Sequence, residues 1–583
     1  MKTKSLLMFS SSILALALIG CNVTGGSSNK KSSNKSSNNS SSGVTYTSAP
    51  GTSSSITNSD SHEWNDQPIT GDFSLLNADG EASGYTVSNS VYTINTAGTY
   101  TLEGKLEGRI EINAADQTVE LDLNGVEITS SDNSPIYAAS LDKLKVKAMD
   151  GTSNKIIDNR AAKTTDVDTQ GEGAIAGKCD MNFIGNGELQ VEGNYNNGIH
   201  TSKDLKIKNV QLKSYGYQHA LRGGNSIEVS EASTYISAIA KTGDGFKSND
   251  AGVTSKGKQK GTISFLAGTI NVQAFNDGVD AAYNAVIGVE GDATANPVIN
   301  IFTEIYADLS KKSATRPGPG GGGSGGDPWN EGNTNKSSTT AKGIKAANEI
   351  YVYGGQVTIK AYDDAFHANH DALTDSDDVA TGVTGLGNIN VSGGTIYIEC
   401  SDDGFHADNT LTISGGKIDV KTSYEALEGN IINISGGETR VFGSDDGMNA
   451  AGDITTPSIT VSGGFLEVAV SPSSDVDGID SNGTFLMTGG VVISKGPNSG
   501  MASALDHEGR ATLNGGTIVV LGAIENMSNS SYFSVASSMT TYNLSLHSSG
   551  SHTLTVSGTS YSFTNSYSYA KTICYSDSAV SGS

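Results

Sequence analysis

A chain of 583 residues with 62 acidic against 37 basic side chains carries a formal net charge of −25, although only 17% of its residues are charged. The thin spread of Lys and Arg excludes a nucleic-acid groove, which needs clustered cations to displace phosphate counter-ions. Its 72 glycines, scattered through every segment, argue against helix, where each costs up to about 1 kcal/mol. Four cysteines are too few and too scattered for a disulfide scaffold or a cysteine zinc site.

At the N-terminus, Lys2 and Lys4 precede a mostly apolar stretch, Leu6 to Ile19, which ends in Leu18-Ile19-Gly20-Cys21. Residues 1–21 resemble a bacterial lipoprotein signal peptide, which implies cleavage before Cys21 and its acylation; an ordinary cleaved signal or a short membrane helix is the alternative. Acyl chains, at about 0.8 kcal/mol per buried CH₂, would hold the protein on a membrane. The expected location is extracytoplasmic, at the cell surface or outer membrane, as a lipid-anchored monomer. Residues 22–62, largely Ser, Asn, Thr, Gly and Lys, bury too little apolar surface to fold and read as a flexible tether. Patterned sequence resumes at Trp64, and Tyr100–Gly104 and Val119–Gly125 are expected to form irregular first turns that cap the start of a repeat array.

From Asn197 onward a short phrase recurs: acidic or polar residue, Gly or Ala, apolar residue, polar residue. It reads Asp244-Gly245-Phe246-Lys247, Asp277-Gly278-Val279-Asp280, Asp364-Ala365-Phe366-His367, Asp403-Gly404-Phe405-His406, Glu425-Ala426-Leu427-Glu428, Asp446-Gly447-Met448-Asn449 and Asp477-Gly478-Ile479-Asp480. The tightest run, from Asp403 through Glu425 to Asp446, has steps of 22 and 21 residues, a period of one supersecondary unit per turn. Between copies lie two alternating apolar runs around a Gly-Gly pair, as in Ile389-Asn390-Val391-Ser392-Gly393-Gly394-Thr395-Ile396-Tyr397-Ile398. Alternation at period two marks short strands, and the glycines suit a sharp corner at positive φ.

Three short strands per turn, each paired in parallel with its copy above and below, predict an all-β right-handed parallel β-helix over 63–570, a solenoid with coils of about 20–27 residues. Ile396, Ile398, Ile413, Ile418 and Val420 are its expected interior. The Gly/Pro-rich tract at 316–340, with Trp329, is expected to be a loop inserted in one coil. Leu554–Val556 and Tyr561–Phe563 read as closing strands that cap the far opening, and 571–583 as a C-terminal tail. Cys179, Cys400 and Cys574 are expected to be single buried or lightly exposed thiols.

Stacking sets the acids of neighbouring copies one strand spacing apart, where two unit charges about 5 Å apart repel by roughly 3 kcal/mol at an effective dielectric near 20. Such a ladder calls for a counter-ion, and oxygen-only ligands favour Ca²⁺. The predicted ligands are Asp244, Asp277, Asp280, Asp363, Asp364, Asp402, Asp403, Asp445 and Asp446, with Asp477 and Asp480 as further candidates; solvent-screened turns are the alternative. The last position of the phrase varies through His200, Arg222, Lys247, Lys345, His367, His406 and Glu428. His367 and His406 are 39 residues apart, so an extra coil is expected between them, which favours structural or sugar-contacting roles over a transition metal.

The run from Lys342-Gly343-Ile344-Lys345 through Ser414-Gly415-Gly416 and Tyr424–Gly429 to Asp445-Asp446-Gly447-Met448-Asn449 resembles the bacterial carbohydrate-binding domain-containing family. The resemblance covers roughly 63–570 and implies an exported right-handed parallel β-helix, akin in shape to calcium-dependent pectate lyases, that binds a plant-type or acidic polysaccharide with calcium. Ala365 in place of Gly, and the first two copies without an opening acid, depart from the pattern. The expected function is non-catalytic, calcium-dependent binding of a cell-wall glycan such as cellulose or pectin, with Tyr353, Tyr397 or Trp329 as stacking faces. One alternative is a calcium-dependent lyase with Lys247 or Lys345 as base; another is an adhesin or spacer.

Overall fold

The computed structural model describes residues 62–163, 171–303, 341–375, 379–473, 476–498 and 502–583. The signal sequence with Cys21, nearly all of the tether, and the 316–340 insertion with Trp329 lie outside them. The described residues are all-β, without a helix, and most of their strands join one 43-stranded sheet whose pairings are largely parallel.

Three ladders build that sheet. The first carries the phrase: Ile199, Leu221, Phe246, Val279, Ile344, Phe366, Phe405, Leu427, Met448 and Ile479 pair in unbroken register. All ten are buried. In-register pairing sets like side chains one strand spacing apart, and the Phe366 and Phe405 rings accordingly stack at 4.8 Å and 2°. The second ladder holds the strands before each Gly-Gly, with Ile389, Leu411, Ile432, Ile459 and Phe485 in line. The third holds those after it, with Val357, Ile396, Ile418, Thr439 and Leu466 in line. The five residues expected inside, Ile396, Ile398, Ile413, Ile418 and Val420, are buried in one core that runs from Leu75 to Met539.

The two glycines of each corner serve different needs, where the sequence suggested one. Only the second adopts positive φ, for example Gly416 at 85° and Gly437 at 81°. At the first, a Cβ would meet the backbone of the preceding corner: 2.3 Å from the Ser392 carbonyl oxygen at Gly415, 2.2 Å from that of Ser414 at Gly436. Corners therefore stack backbone on backbone.

Register also corrects a spacing argument. His367 and His406 are direct ladder partners. No extra repeat separates them, because an antiparallel pair, Ala372–Thr374 with Ala380–Thr384, is inserted between their strands.

At the N-terminal end, Ser74–Asn77 pairs antiparallel with Gly98–Glu107, and Tyr85–Ser88 with Val91–Ile94. The far end departs from expectation. Gly550–Val556, Thr559–Asn565 and Val580–Gly582 form a separate three-stranded antiparallel sheet, packed on Phe465, Val491, Ile493, Val519 and Leu521. These point outward from the third ladder, opposite to Leu466, Val492, Ile518 and Val520 in the main core, so the sheet covers a flank rather than an opening. Residues 571–583, read as a tail, supply Val580–Gly582 and Thr572–Ser576, and the latter ends the third ladder by pairing antiparallel with Thr517–Leu521. Cys179, Cys400 and Cys574 are free and buried, and burial pushes the thiols of Cys179 and Cys574 up to about 12.

Candidate functional site

The phrase ladder turns one column of side chains inward and another outward. The inward column opens each phrase, and its acids are short enough to reach the backbone of the next copy. Asp244 Oδ1 accepts the Asp277 N–H at 3.0 Å, and Asp277 Oδ1 that of Lys342 at 2.9 Å. Asp364 Oδ1 accepts from Asp403 at 3.1 Å, Asp403 from Glu425 at 3.2 Å, Asp446 from Asp477 at 2.7 Å and Asp477 from Ser503 at 2.5 Å. The recurrence of acid thus has a backbone cause, since each carboxylate satisfies a buried N–H that would otherwise be costly.

The second oxygen of each acid decides the charge balance. Around Asp244, Asp277 and Asp280, whose ligand oxygens lie within 4.8 Å of one another, Lys247 is paired with Asp280 and lies 3.7 Å from Asp244. His219 Nδ1 is 3.3 Å from Asp244. Asp363, Asp364 and Asp402 converge in the same way, with Lys342 paired to Asp364 and 3.3 Å from Asp363. Lysine therefore supplies part of the counter-charge assigned from sequence to calcium. Asp403 faces His406 rather than that group, with its Oδ2 2.9 Å from Nδ1.

Further along, acid meets acid. Burial, then Asp445, Asp480 and Asp477, hold the Asp446 carboxyl well above the usual range, and burial with Asp506 and Asp480 nearby lifts Asp477 to about 8. Burial and then Asp244 and Asp280 raise Asp277, and burial and then Glu428 raise Asp403 to about 8. Asp244, Asp364 and Asp408 are pulled the other way: burial opposes it, but hydrogen bonds from His219, from His367, and from His367 with His406 respectively hold them low.

These shifts fix the sign of the pH dependence. The four raised acids bind protons more tightly folded than unfolded, so in chelator their contribution to stability is lost as pH climbs from near 4 to about 8. His406 adds to the trend: burial lowers its pKa but Glu428 and Asp403 outweigh burial and hold it well above the ordinary value, so its stabilisation fades at high pH. The three depressed acids lose theirs only as pH falls below the usual carboxylate range, and His200, held down at about 3 by burial and then Arg222, opposes the trend below about pH 6.5 but is outnumbered by the four raised acids. A melting series in chelator is expected to peak at about pH 4–5 and decline toward 8; a melting temperature that rises across that interval contradicts this assignment.

The outward column runs His200, Arg222, Lys247, Asp280, Lys345, His367, His406, Glu428, Asn449 and Asp480, each opposite the next. It forms a polar stripe at one strand spacing per step, basic at its start and acidic at its end. At its centre the His367 and His406 rings stack, with centroids 4.3 Å apart and planes 10° apart. His370, His406, Asp408, Glu428 and Asp453 border an adjoining cleft of about 290 Å³. Asp408 was missed from the sequence, although it stands two residues beyond His406 on the same strand face. Tyr353 and Tyr397 are not brought to the stripe: Tyr397 lies on the third ladder, and Tyr353, just beyond a second-ladder strand, stacks on Tyr351.

An all-β chain of repeated parallel ladders with one polar stripe is the class that these features define. A family model described as carbohydrate-binding domain-containing protein matches residues 88–376 and 376–525, and the chain belongs to that family. A carbohydrate-binding domain-containing protein of Acetivibrio thermocellus is 35% identical over 151 residues, which are 25% of this chain and 52% of the relative. The chain thus spans about half the length of the curated relative it matches. Among solved structures, a polysaccharide lyase-like protein from C. thermocellum, as a gadolinium derivative, is similar over 38% of this chain and 86% of its own, at 27% identity and a TM-score of 0.33.

Proposed function

We propose that this is a lipid-anchored cell-surface protein that binds a cell-wall polysaccharide along the outward stripe of the phrase ladder, with calcium and without cleaving the chain. In this reading the three ladders wind as a right-handed parallel β-helix, the hand favoured for parallel crossovers. The observation that carries it is the stripe itself, ten polar or charged positions in register from His200 to Asp480. Such a line matches an extended glycan, which offers hydroxyl and carboxylate groups at regular intervals. Membership of a carbohydrate-binding domain family supports the substrate class.

Calcium fits best where oxygen crowds oxygen. Asp446 and Asp477, whose carboxyls burial and then neighbouring acids raise, offer with Asp480 and Asp445 the all-oxygen chemistry that Ca²⁺ takes, while the carboxylates whose ligand oxygens already converge within 4.8 Å, among the described residues, are Asp244, Asp277 and Asp280 and Asp363, Asp364 and Asp402. At Asp244, Asp277 and Asp280 the ion would compete with Lys247. The bound ion would offset the −25 charge locally and bridge to uronate carboxylates.

The acids around Lys247 weigh against it as the base of the lyase alternative. Burial lowers the Lys247 pKa, but Asp280 and then Asp244 outweigh it and hold the ammonium above the ordinary lysine value, the wrong direction for a proton acceptor. Retention of the protein on insoluble cellulose and on pectin tests the stripe. Arg222→Ala combined with Glu428→Ala is expected to lower retention at least tenfold with the melting temperature within a few degrees of the parent. Equal retention by that variant would move binding off the stripe, and no retention of the parent would favour an adhesin or spacer.

A further inference from the structure

We propose that His367 and His406 hold a divalent transition-metal ion of the zinc type, with carboxylate oxygens from Asp364, Asp403 and Glu428, and with Asp408 orienting both rings from their far edge. The inference rests on side-chain geometry; it shares Glu428 and the two histidines with the stripe, and zinc content measured in excess Ca²⁺ without glycan separates it from the calcium and glycan reading.

The donors are already gathered. The ligand atoms of Asp364, His367 and His406 lie within 4.8 Å of one another, as do those of Asp403, His406 and Glu428, and His406 belongs to both groups. Direct register of the two strands brings the imidazoles together, and their mixed nitrogen and oxygen set suits zinc and its neighbours, whereas calcium takes oxygen alone.

Each ring meets carboxylates on both edges. Asp408 Oδ1 lies 3.4 Å from Nε2 of His367 and 3.4 Å from Nε2 of His406, and its Oδ2 is fixed by the His370 N–H at 2.7 Å. A metal-bound imidazole regularly donates its other N–H to such a carboxylate, which assigns Nε2–H of His406 to Asp408 and, with the Asn369 amide 3.3 Å from His367 Nε2 turned to present its oxygen, Nε2–H of His367 to Asp408 and Asn369, leaving Nδ1 of each ring to the ion. On that edge, His367 Nδ1 faces Asp364 Oδ2 at 2.7 Å. His406 Nδ1 faces two oxygens, Asp403 Oδ2 at 2.9 Å and Glu428 Oε2 at 2.5 Å. One ring nitrogen has at most one proton to offer two carboxylates, whereas a single divalent ion serves both.

Bonds of about 2.0–2.2 Å set donors roughly 3.3–3.6 Å apart around a tetrahedral ion, so the rings must tilt from parallel and two of the three carboxylates draw in to complete four-coordination, with five-coordination when the third carboxylate or a solvent oxygen joins. The cleft beside His406 gives room for that tilt and opens a coordination position to solvent or a sugar hydroxyl. The Lys342 ammonium, paired to Asp364, is the cation that the metal displaces or shares with.

The test uses the whole chain, stripped with chelator, loaded with Zn²⁺ in excess Ca²⁺ and freed of unbound metal. Elemental analysis is expected to find one zinc per chain, and Co²⁺ loaded the same way to give visible ligand-field bands of imidazole coordination. His367→Ala and His406→Gln are expected to lose both signals, Asp408→Asn to weaken zinc affinity about 10- to 100-fold, and Asp446→Asn to keep one zinc. Background zinc in the parent, or Co²⁺ bands absent from it, overturns the proposal without recourse to any variant. Zinc content unchanged in folded His367→Ala and His406→Gln chains overturns it as well.

Discussion

Glu467→Ala is expected to destabilise the C-terminal repeats by about 3–5 kcal/mol, the range for removing one partner from a buried ion group. Glu467 is fully buried between two cations: its Oε1 lies 2.6 Å from Lys495 Nζ, itself 1% exposed, and its Oε2 is paired with Arg440. Lys495 also donates to the Thr564 carbonyl at 3.1 Å and sits 4.9 Å from the centre of the Phe563 ring, which ties the third ladder to the three-stranded sheet on its flank. Without the carboxylate, two positive charges face each other in a low-dielectric seam, and Lys495, whose pKa burial already lowers, must shed its proton or leave. Hydrogen exchange is expected to quicken first in 550–582, ahead of the earlier repeats, because repeat arrays lose cooperativity with distance. Replacing all three together, Arg440→Met with Glu467→Leu and Lys495→Met, is expected to recover most of the loss, since a packed apolar trio avoids the desolvation cost. A neutral Glu467→Ala contradicts this account of the seam.

Gly436→Ala is expected to cost about 3 kcal/mol or more, as a steric conflict in packed backbone. Its Cβ would stand 2.2 Å from the Ser414 carbonyl oxygen and 3.0 Å from the carbonyl carbon, and backbone held by ladders on both sides cannot yield as a side chain can. Gly125→Ala is the control. Gly125 has φ of 77°, but a Cβ there would have nothing within 4 Å, so only the positive-φ penalty applies, roughly 1–2 kcal/mol. Equal urea midpoints for the two variants would show that the close stacking of corners costs no more than a positive-φ penalty and does not by itself select the first glycine.

Those corners mark how far the sequence could be read. Alternation such as Ile389/Val391 and Ile396/Ile398 revealed strands and their buried face, because a period of two is imposed by the strand itself. The period of the phrase likewise revealed which residues fall into one column. Register across an insertion was not legible: the distance from His367 to His406 counts inserted residues along with ladder residues, and only the pairing separates them. The flank of the last repeats did carry a signal in the sequence, since Phe465–Ala469, Val491–Lys495 and Thr517–Leu521 are buried on both faces and read as near-continuous apolar runs.

The acids divide in the same manner. Their recurrence pointed to a column, yet not to its first cause, the capture of a backbone N–H by each Oδ1, because hydrogen bonds between copies leave no trace in composition. Nor was it evident that Lys247 and Lys342 answer some of the charge from within, since the partner of a buried acid lies a whole repeat away.

The most direct test of the account is affinity electrophoresis of the chain through polygalacturonate, with calcium or with chelator, while ultraviolet absorbance is tracked for unsaturated product. Calcium-dependent retardation, reversed by chelator and unaccompanied by rising absorbance, is the predicted result. Rising absorbance that requires calcium, or mobility that polygalacturonate leaves unchanged with calcium present, would contradict it.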